Sequence, residues 1–200
     1  MTAPSVPPEP SEPELAEPAN EGNVLLLLDS AWVAAEDAQE APIEVVLGAL
    51  LMTGEGEPVR FVPNPDYRPS SPDSPLDPLD GALRRLGRGE GEPEHLAGAL
   101  RYSTLTIAVD EQGIVLVEPA PDGVSVVLIA SSPGHENHAK AAGWREVTLA
   151  ELATALPATG VDVLINPASP VSMRFYADTI RDVVRLEGDE RIRPARSARR

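Results

Sequence analysis

Between residues 45 and 165 the aliphatic side chains come in short runs cut by Gly, Pro and Asp, and that punctuation restricts the chain to short strands joined by tight turns. Val45–Met52 reads as a buried strand, and Val59–Val62 as its partner across the turn Gly54-Glu55-Gly56-Glu57. A meander follows the same logic. Leu105–Val109 leads through a turn at Asp110–Gly113 to Ile114–Val117, and a further turn, Ala120–Gly123, leads to Val124–Ala130. Asp-Gly at the end of that turn supplies a residue that tolerates positive φ. Val161–Ile165 is predicted as another strand.

Helices are marked by caps. Asp77 is an N-cap candidate with Pro78 at the first helical position, and Leu79, Ala82, Leu83 and Leu86 fall on one face before Gly87. Glu92-Pro93 starts a shorter helix carrying Leu96 and Leu100. Thr148 and Glu151 fit a capping box, with Leu149, Leu152 and Leu156 as the apolar stripe and Pro157 as the stop. Ser169-Pro170 repeats the cap-plus-proline start, which predicts a helix to about Arg185 with Met173, Tyr176, Ala177, Ile180 and Val184 on its face. Hairpins followed by helix–strand–helix imply an α+β fold, a single domain with a mixed β-sheet packed against helices.

A length of 200 residues suits one hydrophobic core plus tails. Segment 1–22, rich in Pro, Glu, Ser and Ala, lacks the aliphatic groups that offset the entropy of ordering, and is predicted to be disordered. The Arg-rich segment 187–200 is predicted likewise, leaving residues 23–186 as the domain. The chain has no cysteine, which excludes disulfides, thiolate nucleophiles and cysteine-held zinc or iron–sulfur sites. The run Val24–Leu28 is cut by Asp29 and falls short of a membrane span or a signal-peptide core. A cytoplasmic location is expected, with no membrane insertion. The net charge of −16 repels nucleic acid and anionic lipid and favours basic partners.

The chemistry-bearing side chains form no strong motif. His135 and His138 stand three apart and, with Glu136, suggest a metal pair at most; the zincin spacing is absent, and ordinary surface polar residues explain them better. Gly-x-Ser-x-Gly does not occur. Ser131 and Ser132 would need His135 or His138 as base and an orienting acid before they could serve a hydrolase. Asp110, Glu111, Asp122 and Asp162 read as turn or strand-edge acids. No phosphate-binding glycine loop is found, and Lys140 is the only lysine. No cofactor, metal or catalytic residue is assigned.

Segment 63–78 carries prolines at 63, 65, 69, 72, 75 and 78, which fix φ and reduce the entropy lost on docking. Tyr67 and Arg68 on such a stiff strap are the residue types enriched at binding hot spots. Tyr67 serves equally well as a pin holding the strap to the core. Trp32 and Trp144, each beside apolar neighbours, read as structural.

Five segments then occur in order: Asn64-Pro-Asp-Tyr-Arg-Pro-Ser70, Asp77-Pro-Leu-Asp80, Pro121-Asp-Gly123, Gly143-Trp-Arg-Glu-Val-Thr148 and Asn166-Pro-Ala-Ser-Pro-Val-Ser-Met173. Their order and spacing over roughly residues 24–186 resemble the actinobacterial type VII secretion system-associated proteins, and the C-terminal half looks like an SseB N-terminal-type domain. The resemblance implies a cytoplasmic accessory protein of the type VII (Esx) apparatus, not an enzyme, with secretion components or substrates as partners. Tyr176 is followed four residues later by Ile180, so the Tyr-x-x-x-Asp/Glu secretion tag is absent there. The expected interaction residues are Asn64, Tyr67, Arg68, Asp77, Asn166, Ser169 and Ser172. The alternative is a small-molecule-binding regulatory domain, in which a helix N-terminus at Asn166–Ser172 holds an anion.

Overall fold

In the computed structural model, residues 23–34, 40–120, 122–137 and 139–192 are described, with side chains as far as Arg185. Segments 1–22, 35–39 and 193–200, together with Pro121 and His138, lie outside the described residues, and with them the expectations for the N-terminal tail and for a His135–His138 pair.

Strands β1 (Val24–Leu28), β2 (Val46–Met52) and β3 (Pro58–Pro63) form an antiparallel sheet in that order. The β2–β3 turn closes where Thr53 N–H donates to the Glu57 carbonyl at 2.7 Å and Gly56 takes φ 85°. Gly48 is obligatory in β2: a Cβ there would stand 2.5 Å from the Phe61 ring and 2.4 Å from the Val62 carbonyl oxygen. Helices α1 (Pro78–Gly87) and α2 (Pro93–Tyr102) follow.

The second sheet has six strands, β4 (Leu105–Val109), β5 (Val117–Pro119), β6 (Ser125–Ala130), β7 (Gly143–Val147), β8 (Val161–Ile165) and β9 (Met173–Phe175). Its order is β7-β4-β6-β8-β9, with β5 also paired to β6; β6 and β8 are parallel and the other pairs antiparallel. The short α3 (Pro133–Glu136) and α4 (Leu149–Ala155) lie in the crossover between the parallel strands, and α5 (Ala177–Ile192) ends the described chain. The fold is α+β. The first hairpin belongs to a sheet of its own and not to the mixed sheet.

Period-two alternation places the core. Leu105 and Ile107 of β4, Val127 and Ile129 of β6, and Val163 and Ile165 of β8 face one side, where Leu79 and Leu83 of α1, Leu100 of α2, Leu152 of α4 and Ile180 of α5 close the cluster. Ala108, Val126 and Leu128 point to the opposite face, under Leu116, Ala139 and Trp144. A third cluster, Leu47, Leu50 and Phe61, belongs to the small sheet. Tyr102, at the end of α2, packs against both this cluster and the main one.

Caps legible in the sequence are present: the Asp77 carboxylate accepts from Asp80 N–H at 2.9 Å, and Thr148 and Glu151 form a complete capping box. Three expectations are corrected. The strand expected at Ile114–Val117 is regular only from Val117: Asp110 Oδ1 takes the N–H groups of Gln112 and Ile114, and before β5 the stretch touches β4 only through a bridge from Val115 to Val109 and the Leu116 N–H on the Ala108 carbonyl. No helix starts at Ser169-Pro170. Asn166 (φ 51°) and Ala168 (φ 60°) reverse the chain, Ser169 N–H donates to the Asn166 carbonyl, and Met173–Phe175 returns along β8 as β9; the helix starts at Ala177. At the other end, α5 runs to Ile192, past the domain boundary expected at 186. Among the described residues no helix is long and apolar enough to cross a membrane.

Candidate interaction site

The proline-rich strap between β3 and α1 has no regular secondary structure, yet side chains tie it down along its length. Asn64 Nδ2 donates to the carbonyls of Ile43 and Val46 at 2.7 and 2.8 Å, while its Oδ1 accepts from Asp66 N–H. Arg68 N–H donates to the Glu44 carbonyl at 2.8 Å. The Tyr67 hydroxyl donates to the Pro75 carbonyl at 2.9 Å, and its half-buried ring packs against the small-sheet cluster. Burial, and after it the negative charge of Asp29, raises the Tyr67 phenol above its ordinary value. The buried Asp29 carboxylate accepts from Ser70 N–H at 2.7 Å and Ala31 N–H at 2.9 Å. Burial works to raise Asp29, but these backbone donors outweigh it and hold the carboxyl below its ordinary value. The strap therefore presents Asp66, Arg68, Ser70 and Asp73 outward from a fixed backbone.

Behind the strap, a buried polar network fills the C-terminal ends of the parallel strands β6 and β8. In open α/β sheets that position commonly receives a ligand; here the first turn of α1 occupies it. Ser131 Oγ donates to Asp77 Oδ2 at 2.7 Å and accepts from Asn166 Nδ2 at 2.9 Å, while Ser131 N–H donates to Asn166 Oδ1 at 3.0 Å. His135 Nε2 lies 3.8 Å from both Asp77 Oδ2 and Asp80 Oδ2. Asp80 Oδ2 accepts from Leu76 N–H and from Arg84 Nε. Burial pushes the Asp77 carboxyl up from 3.8 to about 7, against the lowering effect of the Ser131 hydroxyl.

No family model, curated protein or solved structure matches this chain.

The expected interaction residues thus divide. Arg68 is exposed, Tyr67 and Asn64 brace the strap, and Ser172 lies on the surface of the β8–β9 turn with its hydroxyl donating to the Ile165 carbonyl at 3.3 Å. Asp77, Asn166 and Ser169 are buried, so a partner cannot touch them without unfolding the turn or the helix start. The anion site expected at Asn166–Ser172 has no helix to form it, since that segment is a hairpin turn.

For hydrolysis, Ser131 would have to donate to an imidazole. Its hydroxyl hydrogen goes to Asp77 instead, in a place sealed from solvent. Among the described residues no group of three or more histidine or acidic side chains is disposed to hold a metal ion. A cleft of about 450 Å³ runs between α1 and α2, lined by Pro78, Arg85, Glu92, His95 and Tyr102. Sequence reasoning missed Asp80 and the gathering of Ser131 and His135 around Asp77. The Asp-Pro-Leu-Asp cap gave the only local signal.

Proposed function

We propose that this chain is a non-enzymatic, cytoplasmic accessory protein of the type VII secretion system, acting by binding another protein through the exposed edge of the strap. The observation that carries the reading is the bracing of a proline-rich loop by Asn64, Tyr67 and Asp29, which fixes the backbone from which the exposed side chains project before any partner arrives. A loop ordered in advance loses little entropy on binding. The ordered series of motifs from Asn64 to Met173 supplies the type VII assignment by resemblance. Arg68 is the residue to test, because Tyr67→Ala would also remove a core contact. Pull-down from a native cytoplasm, read by mass spectrometry, is expected to recover type VII components with the wild type and to lose most of them with Arg68→Glu at unchanged melting temperature. Equal recovery with that variant would remove the strap from the mechanism.

One observation favours the small-molecule reading: the α1–α2 cleft falls within the ~300–1,000 Å³ range of ligand pockets. A saturable thermal shift with a small acid, abolished by Arg85→Ala, would favour that reading over the first.

A further inference from the structure

Strand β1 reads Val-Leu-Leu-Leu-Leu and occupies the edge of the small sheet; one side is paired to β2, and among the described residues no strand pairs the other side. Val24, Leu25 and Leu26 are 58%, 50% and 60% exposed. The register Val24↔Leu51↔Arg60 and Leu26↔Ala49↔Val62 sets Val24 and Leu26 on the face opposite Leu50 and Phe61, with Leu25 on the Leu50 side, so the strand edge runs into a face that is apolar except for Arg60. Soluble proteins protect such edges with charge, proline or bulges at the exposed positions. Val24–Leu27 has none of these, and the one irregularity in pairing comes between Leu27 and Leu28.

We propose that β1 pairs with β1 of a second copy of this chain, antiparallel, joining the two three-stranded sheets into one. Antiparallel pairing centred on Leu26 sets Leu26 against Leu26, Leu25 against Leu27 and Val24 against Leu28, an aliphatic partner at every position, as an isologous interface requires. Val24, Leu25, Leu26, Leu28, Leu51 and Val62 together expose roughly 500 Å² per copy over the two faces of the edge, somewhat less than the ~600–1,000 Å² per partner of stable complexes, which fits a weak, concentration-dependent dimer. The chain carries −16, yet none of these six residues is charged and the charged side chain in their register rows is the cation Arg60, so the contact sets no carboxylate of one copy against a carboxylate of the other. The chain's own segment 1–22 is a poor substitute: its prolines at 4, 7, 8, 10, 13 and 18 have no N–H for a ladder, and Val6 and Leu15 are its only branched aliphatic residues.

Sedimentation equilibrium on the full chain is expected to show a dimer at about 100 µM that dissociates on dilution toward about 1 µM, with tighter association as salt screens the net charge. Leu26→Lys should weaken dimerisation at least tenfold while leaving the circular dichroism spectrum of the monomer unchanged; Val24→Lys serves if that variant misfolds. Amide exchange of 24–28 should slow as protein concentration rises. A monomeric mass across the whole range, or a dimer whose strength neither lysine changes, would overturn the proposal, as would exchange in 24–28 that slows only when a different protein is added.

Discussion

The Asp77 carboxylate caps α1 by accepting from Asp80 N–H and at the same time accepts from the Ser131 hydroxyl, in a place closed to water. Burial raises its pKa to about 7, so between about pH 4 and pH 7 the folded protein keeps a proton that the unfolded chain has released. The stabilisation from this group is complete below its unfolded value and is lost as pH rises through about 7. Asp80, His135 and Tyr102 lie around the same carboxylate, and burial, followed by the charge of Asp77, raises the Tyr102 phenol. Asp77→Asn keeps an N-cap oxygen and can donate to Ser131 Oγ, but does not ionise. Denaturant unfolding should find this variant the more stable above about pH 7, by on the order of 1–3 kcal/mol, with a flatter pH profile; a profile parallel to the wild type would contradict the assignment. The cap itself was legible because donor and acceptor lie three residues apart. Ser131 lies 54 residues from Asp77, and nothing local announces that partner.

Among the elements, the β8–β9 hairpin shows where local signals mislead. Ser169-Pro170 is a good helix start on its own terms, but two left-handed residues, Asn166 and Ala168, turn the chain back first. Asn166 tolerates positive φ and Asn-Pro favours a turn, but alanine is not such a type, so the left-handed Ala168 that completes the reversal had no composition signature. Ala168 is exposed at φ 60°, and Ala168→Gly should stabilise the hairpin by about 0.5 kcal/mol, the relieved strain exceeding the glycine's extra freedom when unfolded. A lower denaturation midpoint in that variant would mean that the turn is not strained. The α1 and α4 starts were readable because each cap is satisfied within its own first turn. Strands β1 and β7 were not. β1 is aliphatic at every position and shows no alternation, while β7 exposes Arg145 and Glu146 in its middle and pairs only with β4, at the edge of the mixed sheet.

For the whole molecule, a charge of −16 on 200 residues opposes compaction, and screening should relieve part of that repulsion. Thermal scans are expected to show a melting temperature about 2–4 °C higher near 0.5 M NaCl than at low salt. The shift should appear in Leu26→Lys as well as in the wild type, which separates it from self-association; a fall in both would mean that the ion pairs outweigh the net repulsion. The α+β class was legible because caps and turns punctuate the sequence, whereas the division into two sheets depends on pairings that no segment announces alone. Tyr102 lies where those sheets meet, its ring packed against the apolar clusters of both. A chain severed within the strap would leave one fragment holding the ring and the other holding half of its socket, so neither piece should persist as an autonomous unit.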